Sequence, residues 1–321
     1  MTLTQAEGAA ASPDAAAREL TPHCRIRKVE AVVNEASGSV GAGAAAALEE
    51  IVRSYGLSLR VAEVAPKEIP QALARAVEAK PDLLIILAGD GTARLGAELA
   101  GPDGPLVAPL PGGTMNVLPK AFYGDRDWRE ALHACLTQGV ERPVSGGCVN
   151  GQHFFVAAIL GSPALWAPAR ESVRKGRLKE ALRRAWLAWK RAFSGDLRYK
   201  LDDQPFRRAE ALSVLCPLIS KAMDEETALE AAVLTPSGAA EAFRLAFKAL
   251  WGDWRHDPAV ETRPVRRGVV AARGRIPAIL DGETVRLPRT AEIEFRRVAF
   301  RALAPSGPHP AETVPGGPVI A

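Results

Sequence analysis

The chain has 321 residues, 47% hydrophobic and 24% charged, enough apolar material for a packed core and, at about 150 residues per domain, for two domains. Forty-one Lys and Arg against 37 Asp and Glu leave a net charge of only +4, which excludes a protein that coats nucleic acid over its whole surface. The longest strongly apolar run, Leu83–Ala88, is six residues where a bilayer span needs about 20, and neither the scattered Cys24, Cys135, Cys148 and Cys216 nor the five histidines show metal or disulfide-framework spacing.

Residues 1–26 carry no strand pattern and are expected to be a flexible leader without a secretory signal, which points to the cytoplasm. Lys28–Asn34 reads as a strand, Glu35–Gly43 as a small-residue turn, Ala44–Tyr55 as a helix, Leu57–Val64 as a strand and Ile69–Ala79 as a helix. Leu83–Ala88 (LLIILA) is the kind of continuous apolar strand that a parallel sheet buries on both faces. Gly89–Thr92 is a turn, a helix runs to about Ala100, and a strand lies near Leu106–Leu110. Strand and helix alternating at this spacing predict an α/β doubly wound domain over residues 27–140.

Beyond Gly139 short strands dominate: Val149–Gly161, Leu197–Leu201, Ala209–Cys216, Ala228–Leu234, Val269–Ala272, Ala278–Leu280 and Glu292–Ala299. They predict a β-rich domain over 141–295, interrupted by helices at 171–193 and Ala239–Trp251, then a terminal strand at 296–305 and a Pro- and Gly-rich flexible tail at 306–321.

Three glycine-bearing turns follow successive strands: Asn34-Glu35-Ala36-Ser37-Gly38, Gly89-Asp90-Gly91-Thr92 and Pro111-Gly112-Gly113-Thr114-Met115-Asn116. Ligands bind at the carboxyl ends of the strands in open α/β sheets. A helix opening at G-D-G-T offers free N–H groups and partial positive charge to a phosphate. Asp90 in such a place calls for a cation, since carboxylate and phosphate repel, and Mg²⁺ bridging phosphate oxygens meets that need.

In this order, N-E-A-S-G, A-G-D-G-T and P-G-G-T-M-N resemble the diacylglycerol kinase catalytic-domain family, which includes bacterial lipid kinases and the sphingosine and ceramide kinases. Asp281-Gly282-Glu283 is similar to the family's D-G-E segment, and the resemblance runs from about residue 28 to 305. It implies an α/β nucleotide-binding domain followed by a β-sandwich-like lipid-substrate domain, with the active site between them and a last strand that often returns to the first domain. It also implies ATP and Mg²⁺ as cofactors. Asn34, Ser37, Gly38, Gly89, Asp90, Gly91, Thr92, Gly113, Thr114 and Asn116 are then the nucleotide- and Mg²⁺-binding positions, with Asp90 toward the metal. Glu283 is the proton acceptor and Asp281 its close neighbour. A lipid hydroxyl is a poor nucleophile, so a carboxylate must take its proton as the γ-phosphoryl group transfers.

The chain departs from the family pattern at Ala88, Glu35 and Val117, and its nearest counterpart to a second metal loop, Glu225-Glu226-Thr227-Ala228-Leu229-Glu230, lacks that loop's glycine. A G-D-G-T turn also suits an NAD kinase-like small-molecule kinase, although P-G-G-T-M-N is of the lipid-kinase type. A catalytically inactive nucleotide- or membrane-binding module is the other alternative, motivated by the departures.

The stretch Arg170–Arg191 holds nine basic and two acidic residues, a local charge of +7 that leaves −3 for the rest of the chain. Leu178, Leu182, Ala185, Trp186, Trp189 and Phe193 form one helical stripe. A basic amphipathic helix over 170–193 is suited to an anionic membrane surface, and a helix packed on the β-rich domain with a solvated basic face is the competing reading. The expectation is a cytoplasmic enzyme, peripheral at the inner face of the cell membrane, that reaches a membrane lipid substrate and binds no nucleic acid.

Overall fold

The computed structural model describes residues 26–161, 197–220, 227–234 and 260–305. Residues 1–25 of the expected leader, the basic helix at 171–193, the helix at Ala239–Trp251, Glu225 and Glu226, and the tail at 306–321 lie outside the described residues.

The first half alternates as its apolar pattern demands. Strands β1 (Lys28–Val33), β2 (Ser58–Glu63), β3 (Leu83–Ala88) and β4 (Leu106–Pro111) are linked by helices α1 (Ala44–Ser54), α2 (Ile69–Glu78) and α3 (Asp90–Ala100). They pair in parallel in the order β2-β1-β3-β4. All six residues of β3 are buried, as expected of a strand covered on both faces. In α1 the core face is Ala44, Leu48 and Val52, each four positions from the last. In α3 it consists of small residues, Ala93, Gly96, Ala97 and Ala100, so this helix lies close on the sheet. A methyl group on Gly96 would stand 2.2 Å from Ile86 Cδ1.

Two further helices follow, α4 (Val117–Tyr123) and α5 (Trp128–Gln138), where the sequence pattern alone suggested none. The start of α5 is a capping box: Asp127 accepts from the N–H groups of Arg129 and Glu130, and Glu130 accepts from Asp127 N–H.

The second half is antiparallel. Strand β5 (Gly139–Val149) turns into β6 (Gln152–Phe154), and after a break at Phe155–Val156 comes β7 (Ala157–Gly161). The single strand expected at Val149–Gly161 is therefore a hairpin and a separate strand, because Asn150 and Gly151, both at positive φ, reverse the chain. Strand β5 itself, GVERPVSGGCV, has too many turn-type residues to look like a strand. Pro143 pairs with Arg301 of β16 but has no β6 partner, since β6 pairs only with Gly147–Val149; such a one-sided position is where a strand tolerates proline.

Strands β8 (Leu197–Leu201), β9 (Arg207–Ala209), β10 (Ala211–Leu215), β11 (Leu229–Leu234), β12 (Val260–Val265), β13 (Arg267–Ala271), β14 (Ile276–Leu280) and β15 (Glu283–Leu287) precede β16 (Thr290–Pro305). A six-stranded sheet runs β12-β11-β10-β7-β14-β15. The other second-half strands extend the first sheet through β16, which pairs with β13 at one end and reaches Val107 of β4 at the other, with β5 alongside. One apolar core lies around the parallel strands and their helices, and a second lies between the antiparallel sheets. The architecture is a mostly parallel α/β sheet joined to a C-terminal antiparallel sheet domain.

Candidate active site

The three glycine turns meet at the carboxyl ends of β1, β3 and β4. In the first, Asn34 is buried; its N–H donates to Leu87 O at 3.0 Å and its Oδ1 accepts from Ala36 N–H at 3.1 Å. This turn is tied to the third by Ser39, whose N–H donates to Gly112 O and whose hydroxyl donates to Gly113 O at 3.1 Å. Glu35 accepts from Ala45 N–H at 3.2 Å, so it satisfies an amide in the first turn of α1 that would otherwise have no helical partner.

In the second turn Gly89 is the N-cap of α3, and no side chain caps that helix. Thr92 N–H donates to Gly89 O at 3.0 Å, and the amides before it, with the partial positive charge of the helix end, are available to an anion. The structure starts α3 at Asp90, so G-D-G-T is the opening turn of the helix rather than a loop before it. Asp90 Oδ1 accepts from Leu118 N–H at 3.1 Å, at the start of α4. Its Oδ2 has no hydrogen-bond partner among the described residues.

The third turn closes on Asn116, which sits in the left-handed region at φ 53°. Its side chain accepts from Gly113 N–H at 2.6 Å and donates to Gly113 O at 2.9 Å. Close approach sets the residue type here. A methyl group on Gly113 would lie 2.8 Å from Gly89 Cα, and one on Gly38 would lie 2.9 Å from Thr114 Oγ1. Ser37, Gly38, Gly89, Gly113, Thr114 and Asn116 are thus gathered in one place. Thr92 is on the first turn of α3, half-buried.

The D-G-E segment reaches the same place from the far end of the chain. Asp281 and Gly282 form the two-residue turn between β14 and β15, at φ 47° and 88°, as a primed hairpin turn requires. Glu283 follows as an exposed residue, and its Oε1 would stand 3.0 Å from a methyl group on Gly91. Its carboxylate thus lies over the first turn of α3.

Asp281 is placed differently. Its carboxylate accepts from the N–H groups of Phe155 (2.7 Å), Val156 (2.9 Å) and Ala157 (2.9 Å). Burial pushes its carboxyl above the ordinary range, against the opposing pull of these three amides and the Arg94 charge.

One cluster beside the site escaped sequence reasoning. Arg94 and Glu98 pair one turn apart on α3 at 3.2 Å, Arg94 also donates to His153 O at 3.4 Å, and His153 Nδ1 lies 3.4 Å from Glu98 Oε1. The i, i+4 spacing of Arg94 and Glu98 was visible in the sequence, whereas nothing there signalled His153. Among the described residues no three His, Cys, Asp or Glu side chains gather to hold a metal, and no helix is long and apolar enough to cross a membrane.

Residues 28–149 match the family model of the diacylglycerol kinase catalytic domain. No curated protein matches the chain. Among solved structures, the crystal structure of a diacylglycerol kinase from Bacillus anthracis str. Sterne is similar at a TM-score of 0.64 and 16% identity, covering 88% of this chain and 98% of that one. Two further structures from that organism match at TM-scores of 0.66 and 0.65, with 19% and 18% identity over 88% and 87% of this chain and 98% of each. These likenesses concern the fold. With the three glycine turns gathered at the strand ends, residues 28–149 are similar to the diacylglycerol kinase catalytic domain in both sequence pattern and fold.

Proposed function

We propose that the protein transfers the γ-phosphoryl group of ATP, with Mg²⁺, to a hydroxyl of a membrane lipid: diacylglycerol, ceramide or a sphingoid base. The observation that carries this reading is the Glu283 carboxylate over Gly91. It sets a proton acceptor beside an uncapped helix N-terminus, the arrangement that phosphoryl transfer to an alcohol requires.

In this reading the turns bearing Asn34, Ser37 and Gly38, Gly89–Thr92, and Gly113, Thr114 and Asn116 hold the nucleotide, with phosphate oxygens on the amides of α3. Glu283 takes the proton of the lipid hydroxyl as its oxygen bonds to phosphorus and the bond to the β-phosphate oxygen breaks. The donor set suits Mg²⁺. One carboxylate with a free oxygen, Asp90, is enough for an ion that keeps waters and shares phosphate oxygens. When bound, Mg²⁺ neutralises phosphate charge.

The proposal extends to the membrane. The +7 of Arg170–Arg191 is read from the sequence. It supports contact with an anionic bilayer at the inner face of the cell membrane, where a lipid substrate is within reach.

The test is transfer of radiolabel from γ-labelled ATP, with Mg²⁺, to diacylglycerol, ceramide and sphingosine in mixed micelles, with NAD as a parallel acceptor. Labelled lipid is the expected product. Label on NAD alone moves the activity to a small-molecule kinase, and a folded protein that labels nothing overturns the kinase reading.

A further inference from the structure

A proton acceptor must have a lone pair to offer and room for the alcohol beside it. Asp281 is already committed elsewhere. Its half-buried carboxylate holds three consecutive backbone N–H groups, of Phe155, Val156 and Ala157, at 2.7–2.9 Å, which fills most of its about four acceptor sites. Its own N–H returns a bond to Ala157 O at 2.9 Å. Phe155 and Val156 are the break between β6 and β7, and Ala157 is the first residue of β7. Four hydrogen bonds therefore dock the β14–β15 turn onto that break. Glu283 is the first residue after the turn.

The break is held from the other side as well. His153 accepts from Arg94 and faces Glu98, both on α3. His153 also stacks on Phe155, with ring centroids 6.5 Å apart and planes 7° from parallel. The contacts form a closed circuit. It runs from α3 through Arg94 and Glu98 to His153, along the backbone to Phe155–Ala157, through Asp281 to the turn, and from Glu283 back to Gly91 on α3.

We infer that Asp281 is the positioning residue of this site: by clamping the Phe155–Ala157 amides it seats the Glu283 carboxylate on Gly91, and it takes no proton itself. The assignment rests on the kinase reading for what Glu283 does there, but the clamp is a property of the fold and is measurable without substrate.

The experiment compares wild type, Asp281→Asn, Asp281→Ala and Glu283→Gln. In wild type the amides of Phe155, Val156 and Ala157 exchange slowly. In Asp281→Ala they exchange faster by on the order of tenfold or more, since charge-assisted bonds to three amides are lost. The Gly91 amide resonance, which senses the Glu283 carboxylate, shifts in Asp281→Ala in the same direction as in Glu283→Gln. With lipid acceptor, Asp281→Asn keeps one accepting oxygen and retains turnover well above Glu283→Gln, with the wild-type acid limb in its pH–rate profile and an unchanged KM for ATP. Unchanged exchange and an unchanged Gly91 resonance in Asp281→Ala overturn the clamp. Turnover in folded Asp281→Asn as low as in Glu283→Gln makes Asp281 the proton acceptor and also overturns it. Should Asp281→Ala not fold, the same exchange and resonance measurements on Asp281→Asn decide. A wild type that labels no lipid removes the kinase reading, and the exchange and Gly91 arms still decide the clamp.

Discussion

Gly91 has no side chain, and the space where one would begin is occupied by Glu283: a methyl group there would lie 3.0 Å from Glu283 Oε1. Gly91 is the second residue of α3, so replacing it by Ala relieves the helix of a glycine and stabilises it by at most roughly 0.5–1 kcal/mol, the helix-interior value. The same methyl pushes the flexible end of Glu283 away. We predict for Gly91→Ala a denaturation midpoint equal to or above wild type together with a clear loss of kcat. Full turnover in this variant would remove Glu283 from the chemistry.

Gly113→Ala is expected to behave in the opposite way. Its methyl meets Gly89 Cα at 2.8 Å and Asn116 Oδ1 at 3.2 Å, and backbone cannot swing aside as a side chain can. The second and third glycine turns must then separate, at a cost of about 1–3 kcal/mol. ATP affinity by calorimetry and stability by urea denaturation should fall together.

Two aspartates should move stability in opposite directions with pH. Asp82 accepts from the N–H groups of Lys28 and Arg27 at 2.9 and 2.8 Å, which holds its carboxyl below the ordinary value of 3.8. Its contribution is present above that value and is lost as pH falls through its folded pKa. The effect is small, because the group is largely exposed. Asp281 is raised above 3.8 by burial, so its contribution is present below 3.8 and is lost as pH rises through its folded pKa. In acid titrations of stability, the difference between wild type and Asp82→Asn should shrink on acidification. The difference between wild type and Asp281→Asn should grow. A flat Asp281 comparison would contradict the raised carboxyl.

Tyr123 ties α4 to the last strand. It is fully buried, and its hydroxyl donates to Leu303 O at 3.0 Å, where Cys135 Sγ also donates at 3.4 Å. Tyr123→Phe should cost about 1 kcal/mol in urea denaturation and leave turnover near wild type. A loss of several kcal/mol would mean that Cys135 does not share the carbonyl as described.

The parallel strands were legible because burial writes itself into composition. LLIILA leaves no polar face, and β3 occupies the residues its sequence indicated, with β1, β2 and β4 within a residue or two. Helix α5 had a readable start in Asp127 and Glu130, but its weaker apolar stripe hid it. Strand β5 was not legible, since Pro143, Gly146 and Gly147 are poor strand formers whose places come from tertiary contact. A methyl group on Gly147 would lie 2.0 Å from the Phe154 ring.

The sequence by itself determined the α/β alternation, the three glycine turns and the D-G-E segment, because each depends on residues close together in the chain. The tertiary structure alone decided which of these meet and where each carboxylate lies. Glu283 and Asp281 are two positions apart, yet the hairpin turn sends one over Gly91 and the other into three backbone amides. That division depends on docking the β14–β15 turn onto the break after β6, and no local propensity records a contact between segments so far apart.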